Sequence, residues 1–247
     1  GVGKTTSAVN LSAAFASEGG LRTLLVDLDP QGSATFSLGV TQEEADPSAA
    51  DLLLGNLPVQ EVIRETRVEG LDLISGSMGL AGADLVLARK HQPQRRLAHC
   101  LTPIRRRYDM VIIDCPPGLG VLTINGLGAS HAYVVPVVPH DLDMEALNRC
   151  LIAVDEVQGL ARRPSLLGVL LTMVDHRTRV TDEVVEAIRK AYGRQVFRTE
   201  IPINVRLAEA PGYGMTVFEY EGWSSGAQAY RLLGGDTLKR ARKEDLI

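Results

Sequence analysis

No stretch of about 20 consecutive apolar residues occurs in this 247-residue chain; its apolar runs are short and broken by charges, so none is suited to spanning a bilayer. Cysteine is scarce. Cys100, Cys115 and Cys150 lie far apart and form no C-x-x-C pair, which gives no sign of a metal or redox centre and favours reduced, cytoplasmic thiols. His131, His140 and His176 have no metal-ligand spacing and read as surface or packing residues. Positive charge is not in excess either. The formal net charge is −4, so the molecule as a whole does not attract nucleic acid, and any DNA contact requires a local basic patch. No internal repeat or low-complexity tract is present.

What the chain does have is aliphatic bulk. Hydrophobic residues make up 45%, enough for one substantial core at this length, and a single domain is expected. Ala8, Leu11, Ala14 and Phe15 recur with helical period from Thr5 to Ser17, with Gly19 and Gly20 as the stop. Short apolar runs at 23–26, 71–74, 109–114, 133–138, 166–171 and 196–201 read as buried strands, and helical patterns fall at 144–157, 181–192 and 227–244. Residues 41–70 and 200–225 carry no regular pattern. Strand–helix alternation predicts an α/β fold with a mostly parallel, twisted sheet and helices on both faces.

Three segments carry chemistry. Gly1-Val2-Gly3-Lys4-Thr5-Thr6 is the second half of a phosphate-binding loop: glycines turn backbone N–H groups toward phosphate oxygens, Lys4 supplies a cation, and the Thr5 hydroxyl can ligand Mg²⁺. The complete motif also needs a strand ahead of it and the full G-x-x-x-x-G-K-[ST] span, so the expectation is a domain lacking its first strand and the start of that loop. A central strand lost in this way would leave two neighbouring edges unpaired. Ile112-Ile113-Asp114 ends an apolar strand in a carboxylate suited to orienting Mg²⁺ or its water. Asp27 and Asp29 stand at the carboxyl end of the strand after the first helix, where open α/β sheets place ligands, and one of them could position the water that attacks a γ-phosphate.

GVGKTT, DLDPQGSAT, YDMVIIDCPPG and IPINVRLAEAP, in this order, closely resemble the ParA/Soj family of partition ATPases, P-loop ATPases with a deviant Walker A loop. The resemblance implies ATP and Mg²⁺ as cofactors and an ATP-dependent homodimer that hydrolyses ATP slowly. It implies a ParB-like partner and non-specific DNA as a further partner, with no membrane. Residue by residue, it makes Gly1, Val2, Gly3, Lys4, Thr5 and Thr6 the phosphate cradle and Thr5 and Asp114 the metal ligands. Lys4, Asp29 and the supporting Asp27 become the catalytic set, and Pro202 and Asn204 lie along the adenine. DNA contact falls to Arg206, Arg231, Lys239 and Arg240, with Arg242 and Lys243 nearby. The departures are the family's signature lysine, which belongs two residues ahead of Gly1, and Ile203, Met215, Ser224 and Ser225, which stand where relatives often carry basic residues.

The expected function is therefore a cytoplasmic, nucleoid-associated ATPase that segregates or positions chromosome or plasmid DNA. Two alternatives share the loop: an orphan relative that positions a protein cargo, and a MinD-like ATPase that acts at a membrane site. The polar ending Lys243-Glu244-Asp245-Leu246-Ile247 and the DLDPQG segment argue against the latter. A GTPase is disfavoured because Thr172-Met173-Val174-Asp175 lacks the Asn and Lys that accompany a guanine-reading aspartate. A nitrogenase-reductase-like carrier is disfavoured because Cys100 and Cys115 do not show the cluster-ligand pattern.

Overall fold

The computed structural model describes residues 1–89, 92–139, 144–157, 160 and 163–246; His140 lies outside them. Six strands form its frame: β1 (Thr23–Asp27), β2 (Ile63–Glu65), β3 (Leu71–Ile74), β4 (Met110–Asp114), β5 (Ala132–Val137) and β6 (Ser165–Leu171). The helices are α1 (Lys4–Ala13), α2 (Ser33–Ser37), α3 (Ala49–Leu54), α4 (Val59–Val62), α5 (Gly79–Leu87), α6 (Arg96–Leu101), α7 (Val121–Ala129), α8 (Met144–Asp155), α9 (Arg179–Tyr192), α10 (Val205–Glu209), α11 (Val217–Glu221) and α12 (Ser225–Lys243).

β1 is buried along its whole length, and its alternation assigns the two faces. Leu24 and Val26 join Leu53, Ile74, Leu80 and Leu97 on one side. Leu25 packs with Val9, Ala13 and Leu73 beneath α1 on the other. Helices thus cover both faces, as the apolar runs without polar alternation required. α1 continues through a wider π turn at Ala14–Glu18 and stops at Gly19–Gly20, Gly20 being left-handed at φ 62°.

The strand order is β2-β3-β1-β4 in one sheet, parallel except for β2, and β5-β6 in a second, parallel pair. Among the described residues no ladder joins β4 to β5. Both strands nevertheless pack on one core cluster: Met110 and Ile112 of β4, with Ala132 and Val134 of β5, lie against Phe15, Leu170 and Tyr230. Burial marks the break. Val111 of β4 is 39% exposed and most of β5 is only half-buried, whereas every residue of β1 is buried.

Three sequence expectations are corrected. Residues 41–70 are not irregular, because Ser48 and Asp51 cap α3 reciprocally: the Ser48 hydroxyl accepts from Ala50 N at 3.3 Å, and Asp51 accepts from Ser48 N at 3.0 Å. Residues 200–225 likewise contain α10 and α11, the latter capped by Thr216 and Glu219. The expected strand at 196–201 does not form as a ladder. Phe197 N and Ile201 N bond to Val169 and Leu171 of β6, but the residues between turn outward to other partners. Thr199 bonds to Asp236, while Glu200 accepts from Arg189 at 2.7 Å and lies 2.7 Å from His176 Nε2.

Candidate phosphate site

Gly3 caps α1 in the left-handed region, φ 77°, and no side chain closes the helix start, so the first-turn N–H groups are free to meet an anion. The Thr172 hydroxyl, at the carboxyl end of β6, lies 3.0 Å from the Val2 carbonyl and 3.2 Å from that of Val137, pinning the loop to the second sheet. Gly1 and Val2 are exposed, and Gly3, Lys4, Thr5 and Thr6 are half-buried at the mouth.

Asp27 and Asp114 are register partners at the carboxyl ends of β1 and β4, yet their surroundings differ. Asp27 is fully buried and saturated: one oxygen accepts from Asp29 N at 3.0 Å, the other from Thr35 N at 2.9 Å and the Thr35 hydroxyl at 2.8 Å. The Thr35 hydroxyl in turn accepts from Gly76 N at 2.8 Å. A side chain at Gly76 would lie 2.7 Å from the Asp27 carboxyl carbon, so glycine is required there for the close approach. Burial pushes the Asp27 carboxyl up, against the hydrogen bonds from Thr35 and Asp29.

Asp114 is equally buried but unsaturated. Its Oδ2 has no hydrogen-bond partner, while the Thr5 side chain bonds to the carboxylate. Burial, opposed by Thr5 and reinforced by Asp27 and Asp29, raises its pKa to about 7, with Lys4 close enough to oppose the shift. Burial also raises the neighbouring Cys115 thiol to about 12, leaving it an inert packing group. Asp29 is half-buried on the loop after β1, where its Oδ1 accepts from Gln31 N at 2.9 Å.

Lys4, Thr5, Asp27, Asp29 and Asp114 are thus brought together at one sheet edge. Pro202 lies further along that edge, bridged to Val174 and lining an open cavity of about 460 Å³ with His176, Arg198 and Gln228. Asn204 caps α10 through Arg206 N at 2.9 Å and donates to Ser225 at 2.8 Å. The basic candidates have separate settings. Arg206 pairs with Glu209, and Arg231 pairs with Glu18 while lying over the Phe218 and Trp223 rings. Arg240 donates to the Leu167, Gln195 and Val196 carbonyls over the Phe197 ring, and Lys239 is exposed. The sequence reading missed Thr172, Thr35 and Gly76. Only position could have suggested Thr172 and Gly76, which sit just beyond the carboxyl ends of expected strands; Thr35, on α2, carried no such signal.

A left-handed glycine opening a bare helix start, next to a strand-end carboxylate with an unpaired oxygen, in a mostly parallel α/β sheet, defines a P-loop nucleotide-binding protein. A family profile described as an AAA domain matches residues 1–166. The chain is 39% identical to "Chromosome partitioning protein ParA" of Myxococcus xanthus over 97% of its length and 85% of that protein's. It is 42% identical to "Sporulation initiation inhibitor protein Soj" of Bacillus subtilis, over 93% and 91% of the two chains. The chain belongs to the ParA/Soj family of chromosome-partitioning ATPases. It also superposes on a crystal structure of Mycobacterium smegmatis cobyrinic acid a,c-diamide synthase, solved with an ATP analogue and magnesium, at TM-score 0.84 and 35% identity, covering 99% of this chain and 92% of that one.

Proposed function

We propose that the chain binds and slowly hydrolyses ATP as an ATP-dependent homodimer that, with a ParB-like partner, segregates chromosome or plasmid DNA on the nucleoid. The observation that carries this reading is the convergence of the bare α1 start, the unpaired Asp114 oxygen and the Asp29 loop. The phosphates fit the N–H groups around Gly3 with Lys4 as counter-charge. The donor set also fits Mg²⁺. Among the described residues no cluster of three His, Cys, Asp or Glu could hold a metal, and magnesium needs none, being held by one or two carboxylates plus phosphate oxygens. Thr5 and Asp114 would hold it, and it would neutralise charge on the phosphate oxygens.

Asp29 is the residue free to orient the attacking water, and Asp27 acts through it by fixing the loop. Pro202 and Asn204 would face the base. The space between β4 and β5 is read as the seat of one further parallel strand leading into the phosphate loop, which would make residues 1–247 one ATPase domain without that strand and the start of the loop. The two half-buried edges that share a core cluster support this.

The test is a pair of variants in the full-length protein. Asp29→Ala should bind ATP normally and lose turnover, and Lys4→Ala should lose ATP affinity itself; normal turnover in the first or normal affinity in the second refutes the assignment. A second reading, positioning of a protein cargo, is favoured by the internal partners of Arg206, Arg231 and Arg240. DNA retention of the ATP-bound protein across a salt series separates the two, since phosphate contacts give a steep salt dependence.

A further inference from the structure

His176, on the turn between β6 and α9, is held between two carboxylates that come from different elements. Its Nδ1 lies 2.6 Å from Asp182 in the first turn of α9, and its Nε2 lies 2.7 Å from Glu200 on the segment that runs beside β6. An imidazole that offers an N–H to each carries two protons. Glu200 has a second cation: Arg189 of α9 donates to its other oxygen at 2.7 Å and to the Phe197 and Arg198 carbonyls. Of the other charged groups around the ring, Asp175 is paired with Arg177 at 2.7 Å, and Arg198 lines the same cavity. The α12 wall of that cavity brings neutral Ser225, Gln228 and Leu232. The His176–Glu200 contact flanks a short backbone crossing. Val174 N donates to the Ile201 carbonyl at 3.0 Å and Ile203 N to the Val174 carbonyl at 3.2 Å, and these bonds carry Pro202 past Val174 to Asn204, the cap of α10.

We propose that His176 is a proton-operated clamp on the segment that carries Pro202, closed while the ring is doubly protonated and released on the Glu200 side when one proton leaves. A neutral ring has one N–H for two carboxylates, so its other nitrogen turns a lone pair toward an anion. Glu200 is the contact given up, because Arg189 still neutralises it, while Asp182, on the helix that the His176 turn leads into, keeps the remaining N–H. The hydrogen bonds to Asp182 and Glu200 hold the imidazole's pKa above its ordinary 6.5. The clamp is therefore complete below pH 6.5 and lost as pH rises through the raised value. The consequence for nucleotide rests on the reading above in which Pro202 and Asn204 face the base: release loosens that wall and weakens ATP binding.

The test compares the full-length protein with His176→Gln, which is neutral at every pH, and with Glu200→Gln, which removes one anion and keeps the ring. Imidazole NMR of the wild type should give a midpoint above 6.5, and Glu200→Gln should lower it. At pH 6 and without nucleotide, the Val174 and Ile203 amides should exchange about three- to fivefold faster in His176→Gln than in the wild type, and equally fast well above the imidazole midpoint. Mg-ATP affinity should follow the same pattern, with the proteins compared at each pH so that titration of ATP itself cancels. A midpoint at or below 6.5, a midpoint indifferent to Glu200→Gln, or an exchange ratio that stays constant across pH would each overturn the clamp. Because exchange is measured without nucleotide, pH-dependent exchange alongside equal ATP affinities would support the clamp and refute the base-facing reading of Pro202 alone.

Discussion

Asp27 and Asp114 are partners across one ladder rung, and what separates their roles is hydrogen-bond supply. Asp27 spends its oxygens on the loop, whereas Asp114 keeps one oxygen unpaired and has a pKa of about 7 against an ordinary 3.8. A carboxyl whose pKa is raised in the folded state gives stability that is complete below its unfolded pKa and lost as pH rises through the folded value. Asp114 therefore destabilises the ligand-free protein above pH 7, by about 4 kcal/mol at most. Asp114→Asn should make the ligand-free protein more stable at pH 8 and flatten its stability between pH 4 and 7, while weakening Mg²⁺-dependent ATP binding. Denaturant melts across pH check this; a less stable variant at pH 8 would contradict it. Gly76→Ala is the converse case. The added carbon meets Asp27 and the Asp29 carbonyl at 2.7 Å, so a loss of about 1–3 kcal/mol with slower turnover is expected. The carboxylates were legible in the sequence because strand-end aspartates have few other uses beside a GKTT turn. Their division of labour was not, because it depends on Thr35 and Gly76, which meet Asp27 only once the chain is folded.

At the scale of elements, α1 owes its position to the far end of the chain. The Ser7 and Tyr230 hydroxyls are 3.0 Å apart, and Val217 N donates to Asn10 Oδ1 at 2.8 Å, so α11 and α12 hold the helix that starts the phosphate site. α12 is itself fastened to β6 by Arg240, which satisfies three carbonyls and covers the Phe197 ring at 4.0 Å. In the sequence Lys239, Arg240, Arg242 and Lys243 form one basic cluster; the fold assigns them different work because helix periodicity turns Arg240 inward and Lys239 outward. Arg240→Ala should therefore cost about 2–3 kcal/mol of stability, through unsatisfied carbonyls and lost packing, while Lys239→Ala should cost less than about 0.5 kcal/mol. Thermal unfolding of the two variants decides it, and equal costs would contradict the fastening role. Any DNA-retention measurement on Arg240→Ala must be made well below its unfolding transition, or lost folding will be read as lost binding.

The whole molecule is governed by the break between β4 and β5. The apolar runs announced a parallel α/β sheet, because strands buried on both faces need no alternation, and β1 meets that requirement fully. Register and neighbours were not announced, since strand order depends on crossovers that no local pattern encodes. Among the described residues β4 and β5 each pair on one side only, so half of their backbone groups face the break. Hydrogen exchange should therefore be slowest in β1, paired on both sides, and much faster at the β4 and β5 amides that face away from their partners. A peptide strand rich in valine and isoleucine, added in excess, should slow exchange at those amides in both strands together, because one strand inserted between them pairs with both edges at once. Protection of β4 alone would mean edge-to-edge association of the four-stranded sheet. Slow exchange without the peptide would mean that the two sheets already close on each other in solution, leaving no seat for a further strand and removing the support for that part of the proposed domain.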